Sequence, residues 1–270
     1  MLQNLMDAYW DKLDITREEK MQIHPSSLSS LCLREYFYIL SGKWIRLNPP
    51  VEMKKLLSRA KTIHLEIQNI WEELGILIGT WVCLNCEAKV DGKRPVACPV
   101  CQKSKFIYSE VPLSCEKYLM IGSADAILEI DGKRGLGEIK TINTYKFFKL
   151  EKPETQHIEQ IHCYFLMSGL DFAWVIYVNR DNGKYKIFEV ARDEKIIDQI
   201  KVKAGLLKMC LEKDVPPPLN YDSNNLYCKR KCMTSSLCRE HYQEVEDWMK
   251  EGETDDKPKR KRGRPRKNNG

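Results

Sequence analysis

The Asp131-Gly132 pair constrains this chain more than any other feature, because it separates two largely apolar segments that carry β-forming residues. A two-residue turn of this kind joins antiparallel strands in a fixed register, so that residue 130 faces residue 133 and every opposed pair sums to 263. Asp125 and Glu138 form such a pair. Their Cβ atoms are therefore predicted to lie roughly 4.5–5.5 Å apart, across the two strands. Lys140 lies two residues beyond Glu138, on the same strand face.

The two opposed carboxylates predict a metal site. Like charges at opposed positions destabilise a sheet unless a positive charge lies between them, and a divalent cation with oxygen ligands meets that need. The alternative is an exposed hairpin that carries ordinary surface charges. That alternative is disfavoured because the surrounding residues are apolar and indicate a buried sheet; they are Ala124, Ala126, Leu128, Ile130 and Ile139.

These residues resemble the signature of the PD-(D/E)XK nuclease superfamily. Asp125 is followed, after twelve residues, by Glu138-Ile139-Lys140, and Glu110 leads the strand before Asp125. The resemblance implies an α/β fold in which helices flank a mixed central β-sheet, as in restriction endonucleases. It also implies an enzyme that hydrolyses phosphodiester bonds in DNA with the help of a divalent metal.

More narrowly, the chain resembles the RecB-like branch of that superfamily. The branch has an upstream helical histidine, matched by His64, and a downstream helix that carries Gln160 and Tyr164. Gln160 and Tyr164 lie one helical turn apart and would position the phosphate backbone or the Lys140 amine as catalytic residues. The resemblance covers about residues 26–240, apart from an insert. Without the resemblance, these residues have ordinary explanations: His64 as a core histidine, Gln160 as a polar helix residue and Tyr164 as a core tyrosine.

The resemblance implies a site for Mg²⁺ or Mn²⁺. Asp125 and Glu138 would bind the ion, together with the carbonyl of Ile139 and the imidazole of His64. The ion would polarise the scissile phosphate and lower the pKa of a bound water. Lys140 would orient that water and stabilise the charge that develops on phosphate oxygen.

Two Cys-x-x-Cys pairs, separated by eleven residues, predict a structural zinc ribbon. Cys83 and Cys86 form the first pair, Cys98 and Cys101 form the second, and Gly92 lies in the loop between them. Coordination by four thiolates would supply folding energy to a segment that has almost no apolar core. Unliganded thiols or a disulfide are the alternative. The ribbon would shape access to DNA, bind a partner, or act only as a scaffold.

A second cysteine set predicts another metal site. Cys228, Cys232 and Cys238 lie near the C-terminus, and Cys32 lies far upstream. This layout resembles iron–sulfur-bearing RecB-like nucleases, including AddB-type subunits and CRISPR-adaptation nucleases, and implies a [4Fe–4S] cluster. Three residues separate Cys228 from Cys232, where those nucleases have two. Zinc is the alternative, because four thiolates suit either metal and His241 follows Cys238 by three positions.

The C-terminal tail is strongly basic. From Lys257 onward it contains eight Lys and Arg and no acid. The whole chain has a net charge of +6, so residues 1–256 have a net charge of 6 − 8 = −2. Within the tail, Arg262-Gly263-Arg264-Pro265 resembles an AT-hook core, which implies contact with the narrow minor groove of A·T-rich DNA. A non-specific basic arm and a nuclear-targeting signal are the alternatives. All three agree with a polyanionic partner.

The composition excludes a wholly disordered or membrane-embedded chain. Hydrophobic residues make up 43% and charged residues 30% of the 270 residues, and the longest apolar stretches are too short to span a bilayer. Eleven cysteines is an odd count, and no signal peptide precedes them. We therefore expect an intracellular protein whose cysteines mostly bind metal. It would be cytoplasmic in a bacterial or phage host and nuclear in a eukaryotic one.

Five segments are predicted along the chain. They are the N-terminal helical part of the nuclease domain, the zinc-ribbon insert, the nuclease core, a cysteine-cluster region with a C-terminal helix, and a disordered basic tail. Their respective bounds are 1–80, 81–104, 105–213, 214–251 and 252–270. Apolar spacing and turn residues further predict helices over 26–40, 51–74, 154–169 and 192–211, and a hairpin over 172–190.

Three functions are compatible with these features. We favour a metal-dependent deoxyribonuclease, either an exonuclease or an enzyme that trims single strands or flaps. It would act in DNA replication, recombination or repair, and a protein of the same pathway would be its partner. The alternatives are a non-catalytic DNA-binding or assembly module with a nuclease-like fold, and a redox sensor. The intact set of Asp125, Glu138 and Lys140 favours the first, because a non-catalytic protein does not need that geometry.

Overall fold

The computed structural model describes residues 1–14, 21–45, 47–218, 228 and 232–240. The described residues up to 217 form seven α-helices and nine strands. The chain divides into two compact units, Met1–Pro217 and Pro218–Gly270. Every helix and strand named below belongs to the first unit. None of the described helices is both long enough and apolar enough to cross a membrane.

The elements follow one another along the chain without a repeat. The helices are α1 (Leu2–Lys12), α2 (Pro25–Ser30), α3 (Leu33–Leu40), α4 (Val51–Glu73), α5 (Thr144–Lys149), α6 (Thr155–Ser168) and α7 (Glu194–Lys213). The strands are β1 (Leu77–Cys83), β2 (Lys89–Gly92), β3 (Phe106–Ser109), β4 (Val111–Cys115), β5 (Met120–Ala124), β6 (Ala126–Ile130), β7 (Lys133–Ile142), β8 (Phe172–Asn179) and β9 (Tyr185–Ala191).

A mixed sheet forms the centre of the first unit. Its strand order is β2-β1-β6-β7-β8-β9, with β3 also paired to β1. The β7–β8 pair is parallel, and the other pairs of this sheet are antiparallel. Parallel strands need a long crossover, and α5 and α6 provide it between β7 and β8. The predicted α/β fold, a mixed central sheet flanked by helices, is confirmed.

Apolar side chains pack against both faces of this sheet. On one face, Trp71 of α4 packs in a cluster with Leu128 and Ile139. On the other face, Phe165 of α6 packs in a cluster with Leu136. Because side chains alternate along a strand, the even-numbered residues of β7 face α6 and the odd-numbered residues face α4. This alternation decides which helix meets the acidic and basic residues of β7.

The predicted hairpin is confirmed, with one difference. β6 and β7 pair over five positions in the predicted register, and the turn residues Asp131 and Gly132 both have positive φ, of 50° and 78°, as this tight turn requires. The difference lies at Asp125, which sits in the break between β5 and β6, one position beyond the last paired residue. Asp125 therefore lies just outside the paired ladder of β6 and β7.

The helices predicted over 51–74, 154–169 and 192–211, and the hairpin over 172–190, are confirmed to within a few residues. The single helix predicted over 26–40 is wrong, because the chain is extended at Leu31 and Cys32 and forms α2 and α3 instead. Serine hydroxyls in α2 bond back to the Ser26 carbonyl, a competition that weakens helices. The Cys32 thiol then caps α3 by accepting from the Glu35 N–H at 3.3 Å.

Candidate active site

One cleft in the first unit collects the side chains that the motif comparison singled out. Its volume is about 730 Å³, and its floor is formed by α4, α6 and the strands around the β5–β6 break. Of the residues that carry the resemblance, these line the cleft: His64, Glu110, Asp125, Glu138, Lys140, Gln160 and Tyr164. Residues from four separate parts of the chain thus meet in one place.

A chain of hydrogen bonds links Glu138 and Lys140 of β7 to α6. The Lys140 Nζ lies 2.7 Å from the Glu138 Oε1 and donates to the Gln160 Oε1 at 2.8 Å. The Gln160 amide donates in turn to the Glu138 Oε1 at 3.1 Å and to the Tyr164 hydroxyl at 2.9 Å. Gln160 therefore holds both catalytic candidates of β7 in place with one side chain.

Asp125 is held from the other side of the sheet. Its Oδ2 accepts a hydrogen bond from the backbone N–H of Ile139 at 2.7 Å, and its Oδ1 lies 3.2 Å from Nδ1 of His64 on α4. Asp125 makes both contacts from the break between β5 and β6. The predicted role of the Ile139 carbonyl as a metal ligand stays a prediction; its N–H already orients Asp125.

Burial and charge shift the protonation of these groups. Burial raises the pKa of Glu138 from its ordinary value of 4.5 to about 7, with Asp125 adding to the rise and Lys140 opposing it. Burial alone would lower the pKa of His64, but the hydrogen bond that His64 donates to Asp125 and the charge of Asp125 raise it above the ordinary value. Burial also raises the pKa of Tyr164, so its hydroxyl stays protonated. The cleft is thus a buried acidic site in need of positive charge.

The donor set of the cleft fits a divalent cation. Asp125 and Glu138 offer carboxylate oxygens, which suit Mg²⁺ and Mn²⁺, and His64 offers an imidazole nitrogen, which suits transition metals such as Mn²⁺. Only 3% of the Glu138 surface is exposed, and a buried carboxylate is costly to ionise unless a cation compensates it. Lys140 supplies part of that compensation, and a metal ion would supply the rest.

Two residues that hold this site were not singled out from the sequence. Gln68, one turn after His64 on α4, is buried and donates from Nε2 to the backbone carbonyl of Asp125 at 2.9 Å. Ser123 donates its hydroxyl to Glu110 at 2.8 Å. The signal for Gln68 was its i+4 spacing from His64, which places an amide on the core-facing side of the helix.

Replacing Gln68 by Met is expected to lower the free energy of unfolding by about 1–3 kcal/mol, since the Asp125 carbonyl loses its buried donor while the side-chain volume hardly changes. Urea unfolding followed by circular dichroism measures the loss. Glu66→Met is the matched control, because Glu66 is exposed on the same helix. Equal free energies of unfolding for Gln68→Met and Glu66→Met would show that the hydrogen bond from Gln68 does not stabilise the break between β5 and β6.

The predicted zinc ribbon has the geometry of a four-thiolate site. The sulfur atoms of Cys83, Cys86, Cys98 and Cys101 all lie within 4.8 Å of one another, with Cys83 3.6 Å from Cys101 and Cys86 3.6 Å from Cys98. Zinc–sulfur bonds of about 2.3 Å in a tetrahedron require sulfur atoms about 3.8 Å apart. The four cysteines can therefore hold a metal ion, and zinc fits the spacing.

Each Cys-x-x-Cys pair forms a similar turn. The N–H of Glu87 donates to the Cys83 carbonyl, and the N–H of Gln102 donates to the Cys98 carbonyl, both at 2.9 Å. Glu87 and Gln102 have φ of 59° and 60°, so each turn closes through a left-handed residue. A hydrogen bond from the Cys101 backbone is the largest influence lowering the pKa of Cys98, to about 7, which favours the thiolate that metals bind.

The second cysteine set and the tail remain predictions. Cys32 belongs to the first unit, whereas Cys228, Cys232 and Cys238 belong to the second, so a [4Fe–4S] cluster that joins them is not tested. His241 and the AT-hook-like residues 262–265 lie outside the described residues.

No protein-family model matches this chain, and no curated protein matches it significantly. Among solved structures, the chain is similar to an alkaline exonuclease, LHK-Exo from Laribacter hongkongensis. Its identity to that enzyme is 15%, over 73% of this chain and 90% of that chain, with a TM-score of 0.44. The same enzyme in complex with dAMP gives a TM-score of 0.45 with the same identity and coverage. The chain is also similar to the protein SSO0001, with 16% identity over 88% of this chain and 93% of that chain and a TM-score of 0.44. At such low scores these likenesses do not decide function.

Proposed function

We propose that this protein is a metal-dependent deoxyribonuclease that hydrolyses phosphodiester bonds. One observation carries the proposal: Lys140 lies 2.7 Å from Glu138, in the same cleft as Asp125 and His64. A lysine beside two carboxylates and an imidazole supplies, in one place, the ligands for a cation and a separate positive charge for phosphate oxygen. A cleft of this size leaves room for a nucleotide backbone.

Asp125, Glu138 and His64 would hold Mg²⁺ or Mn²⁺, with the Ile139 carbonyl as a further ligand. When bound, the ion polarises the phosphate and makes water a better nucleophile. Lys140 would stabilise negative charge on a non-bridging phosphate oxygen and orient the attacking water.

Gln160 would keep the Lys140 amine in position, because its carbonyl oxygen accepts from that amine while its NH₂ group donates to Glu138. The Tyr164 hydroxyl closes this network and lines the cleft where a phosphate would enter. Both side chains act as positioning residues in this proposal, since each reaches the reacting groups through Lys140 or Glu138.

The finer assignments rest on the sequence motifs. We propose membership of the RecB-like branch of the PD-(D/E)XK superfamily, action on single strands or DNA ends, and a role in replication, recombination or repair. The five predicted segments, the intracellular location, the [4Fe–4S] cluster or its zinc alternative, and the DNA-seeking tail belong to the same proposal. The order of Asp125, Glu138 and Lys140, with Gln160 and Tyr164 downstream, supports the superfamily and the branch.

The proposal is tested by incubating the purified full-length protein with end-labelled single- and double-stranded DNA. Cleavage is expected with Mn²⁺ or Mg²⁺ and not with EDTA. Salt-sensitive DNA binding without any cleavage would instead support the non-catalytic module. Full cleavage in EDTA would contradict the metal-dependent mechanism.

A further inference from the structure

The short helix α5 presents two aromatic rings to solvent directly after the strand that carries Glu138 and Lys140. Tyr145 is 68% exposed and Phe148 is 65% exposed, while Phe147 between them is buried. All seven phenylalanines lie among the described residues, and Phe148 is the exposed one. Tyr145 and Phe148 are three positions apart, so both rings lie on one side of the helix.

α5 is held firmly against the rest of the first unit. At its start, the N–H and the hydroxyl of Thr144 donate to Asp181 at 2.8 and 2.7 Å. At its end, the Lys186 amine donates to the carbonyls of Phe147 and Leu150, both at 2.8 Å. The exposed rings therefore stand on a fixed base, and binding to them would cost little ordering of the backbone.

A continuous set of contacts joins α5 to the cleft. Lys146 of α5 lies 3.3 Å from Glu154, the residue that caps α6. The Glu154 N–H donates to the Tyr177 hydroxyl at 3.0 Å, and that hydroxyl lies 2.7 Å from Nδ1 of His157. Gln160, which bonds Lys140, follows one turn later on α6. These contacts join α5 to the N-terminal turn of α6, and Gln160 of the same helix lines the cleft.

Positive charge accompanies the rings. The Lys149 amine lies 4.2 Å from the centre of the Tyr145 ring and donates to its hydroxyl at 2.6 Å. The side chain of Lys146 is 57% exposed, and Lys152 follows the helix and is also exposed. Alternating aromatic rings and amines match the alternation of bases and phosphates along an unpaired nucleic-acid strand.

We propose that Tyr145 and Phe148 form a stacking surface for unpaired bases of single-stranded DNA, on the helix that directly follows the strand of Glu138 and Lys140. The lysines of α5 neutralise the adjacent phosphates. Paired bases in a duplex cannot stack on protein rings without being unstacked from their neighbours, so this surface selects single strands. The inference deepens the proposed nuclease function and rests on it, because the bound single strand is the proposed substrate.

The test measures binding without cleavage. A fluorescein-labelled oligothymidylate is titrated with full-length protein in EDTA, at about 150 mM salt to weaken the contribution of the basic tail, and anisotropy gives the dissociation constant. The Tyr145→Ala/Phe148→Ala double variant is expected to bind at least about tenfold more weakly. Tyr145→Phe keeps the ring and is expected to bind like the wild type.

Tyr185→Ala is the matched control, because Tyr185 is 64% exposed and belongs to a separate apolar pocket beside α4. It is expected to bind normally. Unchanged affinity of the double variant, or an equal loss for a blunt duplex, would overturn the inference, as would a wild-type protein that does not bind the single strand. Because no cleavage is needed, a protein that binds through these rings yet never cuts DNA would refute only the proposed nuclease activity.

Discussion

Lys140→Ala and Glu138→Gln are each expected to lower DNA cleavage by at least about 10²–10³-fold, the cost of removing one group that stabilises transition-state charge. Lys140→Ala removes the amine that Gln160 and Glu138 hold in the cleft. Glu138→Gln keeps the shape of the side chain but removes a carboxylate ligand. The measurement is the initial rate of cleavage of end-labelled DNA in saturating Mn²⁺.

Both variants are expected to fold. Burial already raises the pKa of Glu138 to about 7, so the site tolerates a neutral group there when no metal is bound. Circular dichroism and thermal unfolding check this expectation. Lys133→Ala is the matched control, since Lys133 is an exposed lysine at the start of the same strand, and its cleavage rate is expected to match the wild type. Wild-type rates in either cleft variant would show that the chemistry occurs elsewhere.

Cys98→Ser is expected to abolish metal binding by the ribbon and to unfold it. The ribbon strands β2 and β3 pair only with β1 among the described strands, and structural zinc sites supply about 10–16 kcal/mol of binding energy in small zinc-binding peptides. Such a segment has little else to hold it. Elemental analysis should find one zinc fewer per chain than in the wild type, and hydrogen exchange over residues 83–105 should become rapid.

The variant separates the ribbon from the central sheet. Trp81 is fully buried against Tyr108 and the α4 side of the sheet, so protection in β6, β7 and β8 is expected to persist. Cys115→Ser is the matched control, because Cys115 lies outside the four-thiolate group. An unchanged zinc content and an ordered ribbon in Cys98→Ser would mean that the four cysteines do not form a structural metal site.

Local features of the fold were predictable where one residue pair decides the geometry. The Asp131-Gly132 turn sets the register of β6 and β7, and the pairing follows it without exception over five positions. Apolar spacing predicts one helix over 26–40, but serine hydroxyls compete for the Ser26 carbonyl, and the chain becomes extended at Leu31 and Cys32. Helix α5 was not predicted, because six residues are too short for a clear apolar period.

The residues of the site were predictable from the sequence, but the contacts between them were not. A sequence pattern shows which face of α6 carries Gln160, yet the bond from Gln160 to Lys140 depends on how the crossover between β7 and β8 lays α6 on the sheet. The break at Asp125 and its support by Gln68 are likewise non-local. Such contacts arise from tertiary packing, which periodicity along one segment does not encode.

The most direct test of the central claim compares the wild type with Asp125→Ala on end-labelled single-stranded DNA in Mn²⁺, each preparation first shown to be folded by thermal unfolding. Asp125 is the residue that the Ile139 N–H and His64 both orient. The wild type is expected to cleave the DNA in a reaction that EDTA abolishes, and Asp125→Ala is expected to show no detectable cleavage. Full activity in purified Asp125→Ala would contradict the central claim.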